Sequence, residues 1–387
     1  MQKIWLLYFG RLEREKWFDA ILQMIEIFAK EKKELPFELF VFGDGTYAEE
    51  LKILTTKHKE IHYFGRQDRA TIKRYVINCQ YYLMPSTFLE TFGLTALTAI
   101  ARWLPVIGFA KGGLAPFITP ELDLTLEYGH TTAEKLHSLI QKIINPQYKI
   151  SKLDLKMSDY SLDTRKSNFT SLAGSDVKKI LLVSDFKNRI WGIESYILDT
   201  ADILKSMGYE IEIFGSTLPF GLRGKLMKYL WILLAICNDR QGTRLLFKLK
   251  KFQPDLIRYH SVLRHLGWES LWMSKFSPAK KWMMYHDFGY VHPFPHELTH
   301  VHQIKTPFTL KHFLQSAKTK NPVKRLAVLF KYCSVALIKN QLKKRIDLHL
   351  VPSEFMIDIM QKSYKISKDH GPAELGKIKA FPHFVQE

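Results

Sequence analysis

Cysteine is scarce in this chain: Cys79, Cys237 and Cys333 are its three, far apart in 387 residues. They form no CxxC pair and no metal-ligand spacing, which excludes cysteine-bound metal and a disulfide framework, and a reducing compartment with structural thiols is expected. Long apolar runs are missing too. The longest, YLWILLAIC at 229–237, is too short to cross a bilayer. The opening MQKIWLLYFGRLEREK reads as an apolar strand followed at once by charges, not as a secretory leader. Zinc-finger spacing, an RNP-like strand and a basic heptad region are all absent, so nucleic acid is not the expected partner. Glycine is sparse, 20 in 387, which gives weight to each position where one closes a turn.

Acidic residues are short in one region only. Residues 1–150 hold 19 Lys+Arg against 17 Asp+Glu, whereas residues 201–350 hold 25 against 9, so nearly all of the net +19 sits in the second half. Such a face attracts phosphates, here of an anionic membrane surface, unless it is simply a solvated basic surface. A hydrophobic content of 46% suffices for two or three globular domains.

Two segments open strand-helix-strand units. The first has an apolar strand at 4–9, helical apolar positions Phe18, Ile21, Leu22, Ile25 and Phe28, and a strand at 37–42. The second has a strand at 179–184, a helix near 193–207 ended by Gly208, and a strand at 210–214. Continuously apolar strands alternating with amphipathic helices predict parallel sheets covered on both faces, hence an α/β chain of two Rossmann-like, doubly wound domains. The expected boundaries are 1–150 and 178–387. Residues 151–177 form a connector in which SLDTRKSNFTSL (161–172) makes a helix capped by Ser161.

Four short motifs fall at strand ends, where ligands of such sheets bind. FGRLEREK places Gly10, Arg11 and Lys16 after the first strand, and two cations there can neutralise a diphosphate. FGDG brings Gly43 and Gly45, with room for backbone to approach a ligand. PSTFLETFGL sets Glu90 in a loop and Phe92, Gly93 and Leu94 at the amino end of a helix, whose N–H groups suit a phosphate. Glu90, itself an anion, suits sugar hydroxyls instead. GFAKGG adds Gly112 and Gly113 at a further strand end. Each motif alone is also compatible with an ordinary turn.

As an ordered set, GRLEREK, GDG, PSTFLETFGL and PVIGFAKGG resemble the donor-binding domain of glycosyltransferase family 4, the retaining enzymes of GT-B fold. The resemblance implies that Arg11 and Lys16 hold the diphosphate of a nucleotide-sugar donor, that Glu90 contacts the donor sugar, and that position 98 holds the ribose. The family pattern places glutamate at both ends of E-x7-E. Here the second end is Thr98, a shorter neutral hydroxyl that cannot bind two ribose hydroxyls as a carboxylate does.

The second half resembles the acceptor-binding domain of the same family. SDFKNRIWGIESYI, with Gly192, matches its glycine-rich first turn; PDLIRYHS and KWMMYHDFGYVHPFP match strand ends bearing His260 and His286. By that match His286 contacts the donor sugar, while His260 and His292 also read as structural histidines. The halves then stand in reverse of the family order, facing a cleft, as a circular permutation cut at the interdomain hinge or a fusion of two neighbouring genes would give. The implied activity is retaining transfer of a sugar to a glycan or lipid-linked acceptor, without metal or cofactor. A sugar-nucleotide epimerase and an inactive relic or scaffold are the rivals. The basic stretches LRGKLMKYLWILLAIC and KNPVKRLAVLFKYCSVALIKNQLKKR would seat the chain on the inner face of the cell membrane, or simply pack as helices.

Three tryptophans, Trp17, Trp103 and Trp191, stand where the family has glycine. Glycine at such turns supplies positive φ at little cost, which an indole-bearing residue cannot. The expectation is that a codon read as glycine in the source, UGA, has been rendered as tryptophan.

Overall fold

A computed structural model of the chain describes residues 3–31, 34–187, 192–216, 239–263, 265–295, 298–304, 309–316, 321–364 and 377–384. Trp191, Cys237 and the run YLWILLAIC lie outside the described residues. The chain divides into two compact units. One comprises Met1–Leu162 with His296–Val301 and His383–Glu387, the other Asp163–Pro295 and His302–Pro382.

The first unit alternates strand and helix: β1 (Ile4–Phe9), α1 (Phe18–Glu31), β2 (Phe37–Phe42), α2 (Ala48–Lys57), β3 (Ile61–Tyr63), α3 (Arg69–Val76), β4 (Tyr81–Met84), α4 (Leu94–Ile100), β5 (Val106–Gly108) and α5 (Thr132–Ile143). Its five strands lie in the order β3-β2-β1-β4-β5, all parallel. β1 and β2 run in register from Ile4 against Phe37 to Phe9 against Phe42. Apart from Glu38, which pairs with His62 at 2.7 Å, both are apolar or aromatic, as strands of a sheet covered by helices on both faces are. The five expected apolar positions of α1 are all buried, the stripe that docks the helix on the sheet. A reciprocal cap starts α5: Thr131 accepts from the Glu134 N–H, and the Glu134 carboxylate accepts from the Thr131 N–H.

The second unit begins with α6 (Leu162–Ala173), the helix expected in the connector. It continues through β6 (Lys179–Phe186), α7 (Gly192–Ser206), β7 (Glu210–Ser216), α8 (Asp239–Phe252), β8 (Leu256–Ser261), α9 (Gly267–Met273) and β9 (Lys280–Met284). Then come α10 (Leu310–Ser316), α11 (Pro322–Arg345), β10 (Leu348–Val351), α12 (Glu354–Tyr364) and β11 (Lys377–Ala380). Its sheet, β11-β10-β9-β8-β6-β7, is also entirely parallel. Helix α6 packs within this unit through Phe169, which sits edge-on to Tyr209 and Trp282, each 5.5 Å away. Among the described residues, no helix is long and apolar enough to cross a membrane.

β6 runs two residues further than the apolar pattern predicts, through Asp185 and Phe186. The reason is that buried Asp185 finds partners at the strand end. One carboxylate oxygen accepts the N–H groups of His265 and Leu266 at 2.7 and 2.9 Å, and the other accepts the Ser261 hydroxyl at 2.6 Å.

Candidate functional site

In the first unit the winding direction reverses between β1 and β4, which opens a crevice beyond the carboxyl ends of those strands. All four sequence motifs belong to loops leaving this edge, after β1, β2, β4 and β5. Backbone bonds knit them together. The Gly10 N–H donates to Phe42 O and Leu12 N–H to Asp44 O, both at 3.0 Å, joining the first motif to the second; Gly113 N–H donates to Glu90 O at 2.8 Å, joining the fourth to the third. Glycine is required at two of these corners. A Cβ on Gly43 would fall 1.8 Å from Gly10 O, and one on Gly113 would fall 2.3 Å from the Thr91 carbonyl.

The central contact is ionic. Lys16 Nζ donates to Glu90 Oε1 at 2.6 Å, bridging 74 residues of sequence, and lies 5.7 Å from the Phe88 ring centre. The Glu90 side chain is 12% exposed and that of Lys16 28%, so the pair is held in a partly desolvated setting where charge-assisted bonds are strong. Arg11 is exposed beside it, and its carbonyl accepts the Tyr8 hydroxyl at 2.7 Å.

Phe92 is buried against Phe117, Tyr160 and His383, with ring centres 5.4, 6.0 and 5.0 Å away. Gly93, at φ 96°, caps α4. The amides of Leu94, Thr95 and Ala96 precede the first intrahelical bond, from Leu97 N–H to Gly93 O at 3.0 Å, and so have no partner within the helix. One turn on, the Thr98 hydroxyl donates to Leu94 O at 2.9 Å. Its proton is therefore committed to the helix, and toward a ligand the hydroxyl can only accept.

Three groups in this crevice escaped the sequence reading. Ser86 and Thr87 follow β4 with buried hydroxyls that have no hydrogen-bond partner among the described residues. Lys111, inside GFAKGG, donates to Thr87 O and, at 3.0 Å, to Thr299 O. Burial pushes its ammonium down to about 8. Leu89 N–H donates to Leu298 O at 2.6 Å. Residues 298–301 thus belong to the first unit although they follow residue 178, because their carbonyls receive donors from both site loops. A lysine beside paired glycines was the visible signal for Lys111; nothing local foretold its partner.

The second unit gathers His260, His286, Tyr196, Arg165 and Arg258 beneath its own carboxyl edge. His286, two residues past β9, shares a 3.0 Å hydrogen bond with His260, and the rings stack at 18°. Burial, with Arg258 and Arg165 adding positive charge, pushes His286 down to about 3. It is therefore a neutral imidazole at physiological pH. Burial alone would raise the Tyr196 phenol, but the two guanidiniums more than offset it and hold it below its ordinary value. Arg165 and Arg258 also flank the Phe381 ring at 4.3 and 5.2 Å. His292 is buried and accepts the Phe294 N–H at 3.1 Å, a structural role. Gly192 opens α7.

These histidines make a pH prediction. Burial also pushes His349 down, to about 4, while its Nδ1 meets the Tyr285 hydroxyl at 2.8 Å. The unfolded chain protonates both below about pH 6.5 and the folded chain does not. The stability tied to the neutral rings is thus fully present above pH 6.5 and lost as pH falls toward 4. Urea midpoints should decline through that window, and His349→Gln should flatten the decline.

Two doubly wound parallel sheets, the first with glycine-cornered loops at its switch point, define an α/β chain of two Rossmann-like units. Residues 1–162 match the family model described as Glycosyl transferases group 1. Over 100 residues the chain is 32% identical to the UDP-N-acetylglucosamine--peptide N-acetylglucosaminyltransferase GtfA subunit of Streptococcus pneumoniae, covering 26% of this chain and 19% of that one. Over 118 residues it is 25% identical to mannosylfructose-phosphate synthase of Agrobacterium fabrum, covering 28% and 26%. The chain thus spans about a fifth to a quarter of the length of these curated relatives. Among solved structures, pneumococcal O-GlcNAc transferase GtfA in complex with UDP and GlcNAc aligns with TM-score 0.31 at 24% identity, over 36% of this chain and 28% of that one. WaaG, a glycosyltransferase involved in lipopolysaccharide biosynthesis, aligns with TM-score 0.28 at 20% identity, over 37% and 39%.

Proposed function

We propose that the protein is a retaining glycosyltransferase that moves a sugar from a nucleotide-diphospho-sugar to a glycan or lipid-linked acceptor. The observation that carries this reading is the Lys16–Glu90 pair at the switch point of the first unit, within the residues that match the family model. In this reading Arg11, Lys16 and the amides ahead of α4 meet the charge developing on the departing diphosphate, and no metal is called for. Glu90, oriented by Lys16, accepts from sugar hydroxyls. Thr98 accepts from one ribose hydroxyl, a weaker hold than a carboxylate gives. Neutral His286 is the second unit's candidate for the sugar.

The reversed order of donor and acceptor halves is part of the proposal, as is a cytoplasmic protein docked on an anionic membrane through the basic residues 201–350. The GtfA relative's name gives UDP-N-acetylglucosamine as its donor, so uridine diphosphate sugars come first in the test. Nucleotide release is measured from a donor panel with and without membrane extract. Acceptor-dependent release is expected. Interconversion of donor sugars would instead indicate an epimerase, and failure to bind any donor would indicate an inactive relic.

A further inference from the structure

Mostly within the basic residues 201–350 that the reading above places on a membrane, the second unit carries a defined cleft. It lies where β6 and β7 end, is bounded on its open side by α8, and encloses about 370 Å³. Its walls are Lys187, Phe214, Arg244, Phe247, Lys248 and Lys251, with Ile213 and Gly215 at its floor. Residues 244, 247, 248 and 251 follow the i, i+3, i+4, i+7 rule and share one face of α8. The opposite stripe, Leu245, Leu249 and Phe252, is buried and anchors the helix. The cleft-facing stripe lies outside that buried anchor.

Its composition points to a ligand. Four cations converge, among the carboxylates of the described residues Glu212 alone pairs with one of them, Lys248, and Phe247 stands 69% exposed in their midst. Arg244 is set in place by Gln241 Oε1 at 3.1 Å and by the Phe214 ring at 6.0 Å. Burial, and after it the neighbouring charges of Lys251 and Lys187, lower the Lys248 ammonium from its ordinary value. Uncompensated like charges destabilise a fold, and an anion reverses that penalty. We propose that this cleft binds a phosphate or diphosphate group whose carrier rests an apolar portion on Phe247. A phosphorylated acceptor and an anionic lipid headgroup share this chemistry; only the naming of an acceptor rests on the glycosyltransferase reading.

The test uses the full chain in an Arg11→Ala, Lys16→Ala background, which removes both cations that the reading above assigns to a diphosphate in the first unit. Inorganic pyrophosphate should bind with salt-sensitive affinity, and Arg244→Gln with Lys251→Gln should weaken it at least about tenfold. Vesicles of phosphatidylglycerol, compared with phosphatidylcholine, identify the source. Retention on the former that the double variant loses assigns a lipid headgroup, and pyrophosphate binding without it assigns a soluble phosphate. Absence of both, or binding that the double variant retains, overturns the proposal, whatever the donor assay shows.

A different observation carries a second inference. Among the described residues the non-glycine positions with positive φ are Trp17 (54°), Trp103 (61°) and Gln253 (50°), so two of three are tryptophans. Trp103 ends α4 in a specific pattern: Leu104 N–H reaches Ala99 O at 3.2 Å and Trp103 N–H reaches Ile100 O at 2.8 Å. That is the Schellman cap, whose left-handed residue is usually glycine. The same cap ends α7, from Tyr209 N–H to Leu204 O at 3.2 Å and from Gly208 N–H to Lys205 O at 2.9 Å, and there the residue is glycine. The Trp103 indole is 80% exposed, so packing does not repay the strain.

We infer that positions 17 and 103 are glycine in the protein as its source makes it. Peptide mass spectrometry of natively expressed protein should find glycine at both. Trp17→Gly and Trp103→Gly in the tryptophan form should each raise Tm by about 2–4 °C. Tryptophan in the native peptides, or no gain in Tm from either exchange, overturns the inference.

Discussion

Lys16→Ala is expected to lower kcat/KM for sugar transfer by about 10²–10³, the loss typical of removing one group that meets transition-state charge. It should also cost stability, about 1–3 kcal/mol, since it leaves the Glu90 carboxylate, 12% exposed, without its charged partner. Glu90→Gln keeps the shape of the loop but discards the charge that Lys16 bonds at 2.6 Å. It should impair transfer comparably, through the sugar as well as through a lysine no longer held. The exchanged pair, Lys16→Glu with Glu90→Lys, separates structure from chemistry: it should regain stability lost in the single variants and regain no transfer. Recovery of transfer in the exchanged pair would show that the two residues only brace the loops.

The largest expected loss of stability is at Asp185, which is 1% exposed. Asp185→Ala removes the acceptor for two backbone N–H groups and the Ser261 hydroxyl at once, and stranded buried donors should cost about 3 kcal/mol or more in a denaturant melt. Asp185→Asn keeps one acceptor oxygen for the two amides, while its new NH₂ meets a hydroxyl able to turn and accept. Its cost should be nearer 1 kcal/mol. Equal losses in the two variants would mean that charge, not hydrogen bonding, holds the end of β6.

The parts of this molecule legible in its sequence are those set by local pattern. IWLLYF and FELFVF became adjacent strands because every residue in them except Glu38 is apolar or aromatic, and Phe18 to Phe28 became a docked helix because its apolar residues recur at the helical period. The crevice loops were legible as glycine corners at strand ends. What was not legible depends on closure over long spans. The Lys16–Glu90 bond, the carbonyls of 298 and 299 over the site loops, and the paired guanidiniums around Tyr196 are set by topology and have no sequence period. Arg258 did leave a trace: it interrupts the apolar strand LIRYHS, and a charge there had to find company.

Residues 298–301 bear on how the chain can be divided. Leu298 O receives the Leu89 N–H, Thr299 O receives Lys111, and these donors border Glu90 and the paired glycines. A polypeptide stopping at residue 162 would carry every residue of the family match yet lack the acceptor of the Leu89 N–H and one of the two carbonyls that Lys111 bonds. The first unit is therefore completed by a segment that the ribosome makes more than a hundred residues after Leu162.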